Sequence, residues 1–387
     1  MYSFYGFARS NGTYGIRNHI AVIPSVICAN KVAQRIAESV HGAIALPHNC
    51  GCAQAGTDRD QTFRVLTGLG MNPNVYGVLV VGLGCETISP EKLADNISKS
   101  GKPVYCITIQ NERGTLKSIE KGVRVVRKLA EEASKQTRQT ADVSNLVVGT
   151  ECGASDWTSG LIANPSVGVA VDLIIENGGS VILSETTEFV GAEHILANRA
   201  INTEIGGKIL EIVKRYEKEV VRIYENIQNG QPTPGNIVGG ITTIEEKSLG
   251  AISKGGASKI VDVVEYGERI TKKGLTIMNT PGYDVESVTG MVAGGSQVIV
   301  FTTGRGTPTG NPITPVIKVT GNPLTYKKME ENIDINAGKI ITFSNLSIRD
   351  VGKEIFEELL SVSSGKLTKA ETFGNADLAI WRVGISL

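Results

Sequence analysis

Six cysteines and four histidines occur in 387 residues, and several of them are grouped with carboxylates in short glycine-bearing segments. His48, Cys50 and Cys52 share HNCGCAQAG, Cys85 stands beside Glu86 in GLGCE, and Cys152 follows Glu151 in ECGASD. Thiolate and imidazole suit iron or zinc, and a carboxylate completes a site that leaves a coordination position open for substrate. On that chemistry His48, Cys52, Cys85, Cys152 and Glu185 are candidate ligands of a divalent metal. Three thiolates from separate loops would also suit an iron–sulfur cluster. No CxxC pair is present, so the spacing is not that of a zinc ribbon. Cys28 and Cys106 lie in or beside apolar runs and read as small buried hydrophobes.

A second grouping is acidic. Glu185 and Glu188 in SETTE precede Glu193-His194 in GAEH, and carboxylates beside an imidazole can supply both a general base and a metal ligand. The segment TTGRGTPTGNP contains Thr303 and Arg305, with glycines that free backbone N–H groups and a guanidinium that can fork onto a carboxylate. Asn164-Pro165 in LIANPSVG reads as the opening of a helix, whose first amides could face an anion or simply start the helix with proline. Neither GxxxxGK[ST] nor a GxGxxG after the first strand is present, which removes the ATP and NAD readings.

Residues of this kind need elements that bring them to one edge. In the first third, short β-branched runs alternate with helical patterns: IAVIPSV before NKVAQRIAESV, GAIALPH before DRDQTFRVLTGLG, VYGVLVVGLG before SPEKLADNISKS, and PVYCITI before TLKSIEKGVRVVRKLAEEASK. Such alternation predicts βαβ units and a parallel sheet. The polar stretch 135–145 interrupts the pattern, and LVVGTECG and SVILSETTE begin a new one. The fold class expected is therefore α/β with two Rossmann-like parallel-sheet domains, residues 1–138 and 145–387, the second with insertions. The segment from residue 201 to 227 is helical in period and charge spacing and reads as scaffold. In open parallel sheets ligands bind beyond the carboxyl ends of the strands. Almost every strand assigned here ends in polar, ligand-capable or glycine residues, so the loops are expected to converge on an interdomain site.

Composition bounds the function. Lys and Arg number 39 and so do Asp and Glu, so no electrostatic surplus favours nucleic acid or an anionic membrane. The N-terminus lacks a basic segment followed by an apolar core, and no window approaches a run of about 18 apolar residues. A cytoplasmic protein is expected, with no nucleic-acid or membrane partner.

GTYGIRNH, HNCGCAQAG, GLGCE, ECGASDWTSGLIANPSVG, ILSETTEFVGAEH, PTPGNIVGGITTIEEKSLGAISKGG, NTPGYDVESVTGMVAGG and FTTGRGTPTGNPITPVIK occur in that order. Over essentially its whole length the sequence resembles the altronate/galactarate dehydratase family. The resemblance implies a hydro-lyase that converts a sugar acid to a 2-keto-3-deoxy acid, with Fe2+ or a similar metal such as Mn2+. It implies that the chain starts at the family's second domain, and that a separate small subunit of the SAF type supplies the first in an oligomeric assembly. The large subunit of sulfolactate sulfo-lyase, which releases sulfite, is a relative within the family. The thiols at Cys52 and Cys85, with NTPGYD and GRGTPTG, side with the sugar-acid dehydratases. A non-catalytic subunit that binds a sugar acid is the reading from another class.

The chemistry so implied is β-elimination from a 2,3-dihydroxy acid. A base removes the C2 proton, and a cation stabilises the enediolate. Within the matching motifs, Glu193 or His194 is the expected proton-transfer group, and Lys247 in EEKSLG is a further candidate base, since a desolvated lysine can be neutral near pH 7. Arg305 and Arg17 are expected to clamp a substrate carboxylate, with Asn164 and Thr303 as further candidate substrate-binding residues.

Overall fold

The computed structural model of the chain describes residues 2–224 and 231–384. The first elements are β1 (Ser3–Ala8) and β2 (Tyr14–Gly15), an antiparallel pair that carried no recognisable pattern. The β-branched runs then form β3 (His19–Pro24), β4 (Ala43–Ala45), β5 (Val75–Gly82) and β6 (Val104–Thr108), a parallel sheet in the order β4-β3-β5-β6. Helices Asn30–Glu38, Gly56–Met71, Pro90–Ser98 and Thr115–Ser134 follow these strands in turn. Ser89 caps the third, its Oγ accepting the Lys92 N–H at 3.2 Å with Pro90 in the first position, and Gly101 at φ +78° lies just past its end. That arrangement is the one its sequence predicts.

The polar stretch read as an interruption contains a strand, β7 (Gln139–Asp142), which pairs antiparallel with β1 to make a small sheet β2-β1-β7. Only Ala141 of its four residues is buried, so the strand carries too little apolar signal to be seen in sequence.

The larger sheet has seven strands. They are β8 (Val147–Gly153), β9 (Ser180–Leu183), β10 (Ile260–Val264), β11 (Gly274–Met278), β12 (Val298–Thr303), β13 (Val316–Thr320) and β14 (Ile335–Asn336), all parallel, in the order β10-β11-β9-β8-β12-β13-β14. Near-continuous burial of β8, β9, β11, β12 and β13 is what a parallel sheet covered on both faces requires. From β8 the chain moves to β9 on one side, and it later returns as β12 on the other, so the order reverses at β8. Ligands of open α/β sheets bind at such a switch point, and here the strand ends on Cys152-Gly153.

Helix Asn164–Glu176 covers one face and crosses helix Ile348–Ser363 closely; a Cβ on Gly352 would lie 2.4 Å from Val169 Cβ. The stretch Ser159–Glu176 is long and apolar enough by composition to cross a membrane, contrary to the expectation that no segment approached that character. It packs as a core helix, more than half buried. Helix Thr203–Tyr224 occupies the described part of the segment expected to be helical from 201 to 227, whose last residues lie outside the described ones.

The two parallel sheets share a core. Ala21, Ile23, Val78 and Val80 from the first belong to one apolar cluster with Ile182, Met278, Ile299 and Phe301 from the second. Buried asparagines tie the sheets further: Asn72 donates to the carbonyls of Val292 and Ser296, and Asn74 to those of Gln297 and Ile313.

Candidate active site

At the carboxyl end of β8 the chain turns through Ala154, at φ +48°, and enters a helix at Trp157. Asp156 caps that helix, its Oδ1 accepting the N–H groups of Thr158 at 2.9 Å and Ser159 at 3.1 Å. Asn164 is therefore not at a helix start, as its Pro165 neighbour suggested, but lies within a continuous run from 157 to 176 that passes through a π-helical turn at Ser159–Ala163. Such turns are frequent at functional sites because they redirect a side chain within a helix. Asn164 is buried, with Oδ1 accepting from Thr302 Oγ1 at 2.6 Å and Nδ2 donating to the Gly250 carbonyl at 3.0 Å.

Cys152, Ser155, Ser159, Asn164, Glu188 and Lys247 contribute polar groups to a cavity of about 440 Å³. Trp157, Leu161 and Leu249 form apolar parts of its wall and are themselves about half exposed or more. All lining residues lie between 152 and 251. The cavity is thus built by the second parallel-sheet unit alone, and the interdomain position expected from the strand ends is not where it lies.

Two buried ion pairs form the charged side of the site. Lys247 Nζ lies 2.6 Å from Glu188 Oε1 and also donates to Gln231 Oε1 at 2.8 Å. Lys254 Nζ pairs with Glu185 Oε2, which also accepts the Cys152 N–H at 3.0 Å. Lys247 lies on helix Ile244–Ile252 and Lys254 on the short turn Ser253–Gly255 that continues it, two helical turns further on. Glu185 adopts a left-handed backbone at φ +63°, a strained conformation for a non-glycine residue, and Thr280 Oγ1 accepts its N–H. Oε1 of Glu185 and Oε2 of Glu188 are buried without a hydrogen-bond partner among the described residues. Free acceptors of this kind, next to fixed cations, are unusual enough in folded proteins to mark a functional position.

Electrostatics follow from burial and these pairs. Burial raises Glu185, offset in part by Lys254 and reinforced by Glu188, so its carboxyl is pushed up to about 7. Burial works to lower Lys247, but Glu188 and Glu185 outweigh it and the ammonium is held above its ordinary value. Lys254 is shifted the same way, with burial opposed by Glu185 and Cys152. Burial raises the Cys152 thiol, against the opposing pull of Lys254, and keeps it protonated near neutrality; its Sγ lies 2.7 Å from Ser155 Oγ. Beneath them Glu151 receives Ser184 and Ser287 hydroxyls at 3.0 and 2.6 Å, and burial with Glu185 and Asp284 nearby pushes its carboxyl well up. The arrangement offers a base with a free oxygen, a fixed ammonium and a neutral thiol around one void.

Two family models cover nearly all of this architecture. The C-terminal region of D-galactarate/altronate dehydratase matches residues 143–386, and the second domain of D-galactarate dehydratase/altronate hydrolase matches residues 6–134. The chain belongs to the altronate/galactarate dehydratase family. Relatives include altronate dehydratase of Bacillus subtilis, 34% identical over 100% of this chain and 78% of that one. Galactarate dehydratase (L-threo-forming) of Escherichia coli is 35% identical over 94% of this chain and 73% of its own. The (2R)-sulfolactate sulfo-lyase subunit beta of Chromohalobacter salexigens is 39% identical over 98% of this chain and 97% of that subunit. The relatives named altronate and galactarate dehydratase are enzymes that remove water, and the chain shares their family.

Within this member of the dehydratase family, the residues singled out in sequence divide. Cys152, Asn164 and Lys247 line the cavity, and Glu185 lies against its floor through the Cys152 amide. Lys247 is a paired ammonium, so the expectation of a neutral lysine base is corrected. His194 is exposed, and neither it nor Glu193 lines the cavity. Arg17 is far from free: Nε and Nη2 fork onto Glu371 at 2.6 and 2.8 Å, and the remaining donors reach the carbonyls of Ile16, Val362 and Lys366. It fastens the N-terminal strands to the C-terminal helices. Thr303 Oγ1 accepts the Gly306 N–H at 3.0 Å and shapes its own loop. Arg305 opens onto a neighbouring hollow of about 320 Å³ with Asp156, Val238 and Asn322.

The metal set expected from sequence does not fit a metal as the residues stand. His48 accepts the Cys50 N–H on Nδ1 at 3.1 Å and faces the Pro24 carbonyl through Nε2 at 2.7 Å, so both ring nitrogens are committed. Cys52 and Cys85 are exposed on the first sheet's loops, whereas Cys152 is buried in the second unit. The lysines already neutralise the carboxylates nearest Cys152, and among the described residues no three His, Cys, Asp or Glu side chains converge as ligands. The same separation parts the three thiols considered for an iron–sulfur cluster. Cys28, read as buried, is exposed on the turn Ile27–Ala29 after β3. Sequence reasoning missed Lys254 altogether, although its spacing from Lys247 matches that of one helix face.

Proposed function

We propose that this chain is the large subunit of a cytoplasmic sugar-acid dehydratase, which removes water by β-elimination from a substrate such as altronate or galactarate to give a 2-keto-3-deoxy acid. The observation that carries this reading is the unpartnered Oε2 of Glu188 in the wall of a 440 Å³ cavity, beside the Lys247 ammonium and the Cys152 thiol. In the reaction, Glu188 takes the C2 proton. The ammonium of Lys247 faces the negative charge that develops on the substrate carboxylate. The Cys152 thiol gives its proton to the C3 hydroxyl as the C3–O bond breaks, and water leaves. The enol then tautomerises to the 2-keto acid, and the proton held by Glu188 returns to the thiolate. Asn164 and Ser155 hold substrate hydroxyls. Lys254 keeps Glu185 and the Cys152 amide in place beneath the reacting groups.

A second reading, elimination of sulfite from sulfolactate, is favoured by one observation: the sulfo-lyase subunit beta is 39% identical to this chain, against 34% and 35% for the two dehydratases above. That relative's name also supports an assembly with a second subunit. The SAF-type small subunit is our choice for it, and Trp157, Leu161 and Leu249, exposed around the cavity, form a surface that it would cover.

The deciding experiment is an anaerobic assay of aldonates, aldarates and sulfolactate, with and without added ferrous iron, on the assembled enzyme. A 2-keto-3-deoxy acid from a sugar acid supports the dehydratase. Sulfite from sulfolactate alone replaces it with the sulfo-lyase, and turnover of neither returns the chain to a binding role.

A further inference from the structure

A second cleft lies at the opposite edge of the seven-stranded sheet, where Val147 starts β8, Ser180 starts β9 and Gln297 precedes β12. Its volume is about 150 Å³, and its walls come from both sheet units: Thr13 and Pro73 on one side, Arg269 to Lys273 and Gly294-Gly295 on the other. None of its lining residues is acidic, and three are cations, Arg269, Lys272 and Lys273. Two of these are committed. Lys272 Nζ lies 3.1 Å from Asp262, and Lys273 Nζ donates to the Ser144 carbonyl. Arg269 is half-buried and has no partner among the described residues, although burial opposes its charge. Buried Lys102 is pushed well below its ordinary value, chiefly by burial and further by Arg9 and Arg269.

A guanidinium left unpaired among like charges is unfavourable, and the planar fork of arginine is matched by an oxyanion that accepts two N–H groups at once. We propose that this cleft binds a small, doubly charged oxyanion of the phosphate or sulfate type, held by Arg269 and screened by Lys272 and Lys273, and that the bound ion clamps the two sheet units together. The void is of the size of one such ion and too small for a nucleotide. The anion lies on the far edge of the sheet from Cys152 and Lys247, so it takes no part in the elimination.

The test is thermal unfolding of the full chain in sodium phosphate, sodium sulfate and sodium gluconate against sodium chloride at matched ionic strength, repeated on R269Q. An ion that binds only the folded state raises Tm in proportion to the logarithm of its concentration, and at this chain length saturating anion is expected to give about 2 °C or more. Phosphate or sulfate should do so in the wild type, and R269Q should lose the shift while its elimination rate stays unchanged. The gluconate arm separates a true dianion site from a general carboxylate site, since a monocarboxylate should give little shift. Equal Tm in all salts, an equal shift in R269Q, or a gluconate shift as large as that of phosphate would overturn the proposal. If R269Q does not fold, K272E, an exposed rim substitution, should weaken the phosphate shift, and an unaltered shift there overturns it equally. Loss of the elimination reading leaves this result untouched.

Discussion

Lys247 and Glu188 form a buried pair, Nζ to Oε1 at 2.6 Å, with side chains only 7% and 3% exposed. One carboxylate oxygen is thereby fixed while the other is left without a donor. An unmet buried acceptor costs about 1–3 kcal/mol; Glu185 has one as well, but of the two only Glu188 also lines the cavity. The free oxygen is therefore the point at which substrate is expected to meet the protein. E188Q preserves shape and removes the base, and should lower kcat by about 100-fold or more with a small change in KM. Steady-state kinetics on the substrate identified above checks this, and wild-type turnover would remove Glu188 from the mechanism.

The Lys254–Glu185 pair is more deeply placed, at 1% and 0% exposure. Truncating one member of such a pair strands the other charge, so K254M should destabilise the fold by about 3–5 kcal/mol. The double variant K254M/E185Q removes both charges and should recover most of that loss. Urea unfolding of the three proteins reads the difference; a double variant no more stable than K254M would show that the pair is not the source of the penalty.

How much of this was legible in the sequence is clearest from particular residues. The strands β3, β5, β8 and β12 announce themselves because parallel strands buried on both faces are continuous apolar runs. The edge strands β2, β7 and β14 have two to four residues each and little apolar content, so nothing distinguished them from loops. In the site, Cys152 and Glu185 were visible as strand-end residues. Lys254 was not, because an isolated lysine reads as a solvated charge until the fold places a carboxylate against it. Arg17 and His48 failed in the opposite direction: their residue types suggest ligands, but tertiary contacts from the chain's other end and from the first sheet's own backbone consume every donor and acceptor.

Arg17 accordingly belongs to the fold. Replacing it with Gln breaks the fork to Glu371 and leaves the Val362 and Lys366 carbonyls without their donor. R17Q should lose about 3 kcal/mol of stability while leaving KM within twofold of the wild type below its unfolding range. A large rise in KM with unchanged stability would return Arg17 to the substrate site.

His48 supplies a pH signature. Burial lowers its imidazole to about 4 from an ordinary 6.5, opposed only by its bond to the Pro24 carbonyl. Between those values the unfolded chain binds the proton and the native one does not. The neutral ring therefore contributes stability that is fully present above pH 6.5 and is lost as pH falls through 4. A shift of this size corresponds to about 3 kcal/mol. H48Q has no titrating ring, so whatever it loses in packing at pH 7 does not change with pH. The gap between wild type and H48Q should then narrow by that amount between pH 6.5 and 4, even though Glu185 and Asp284, held up to about 7 and 6, titrate in both proteins across the same window. Urea unfolding of both proteins at pH 7, 5.5 and 4 measures the gap directly. A gap that stays constant would mean that the ring takes up its proton inside the fold, and that one of its two hydrogen bonds gives way to allow it.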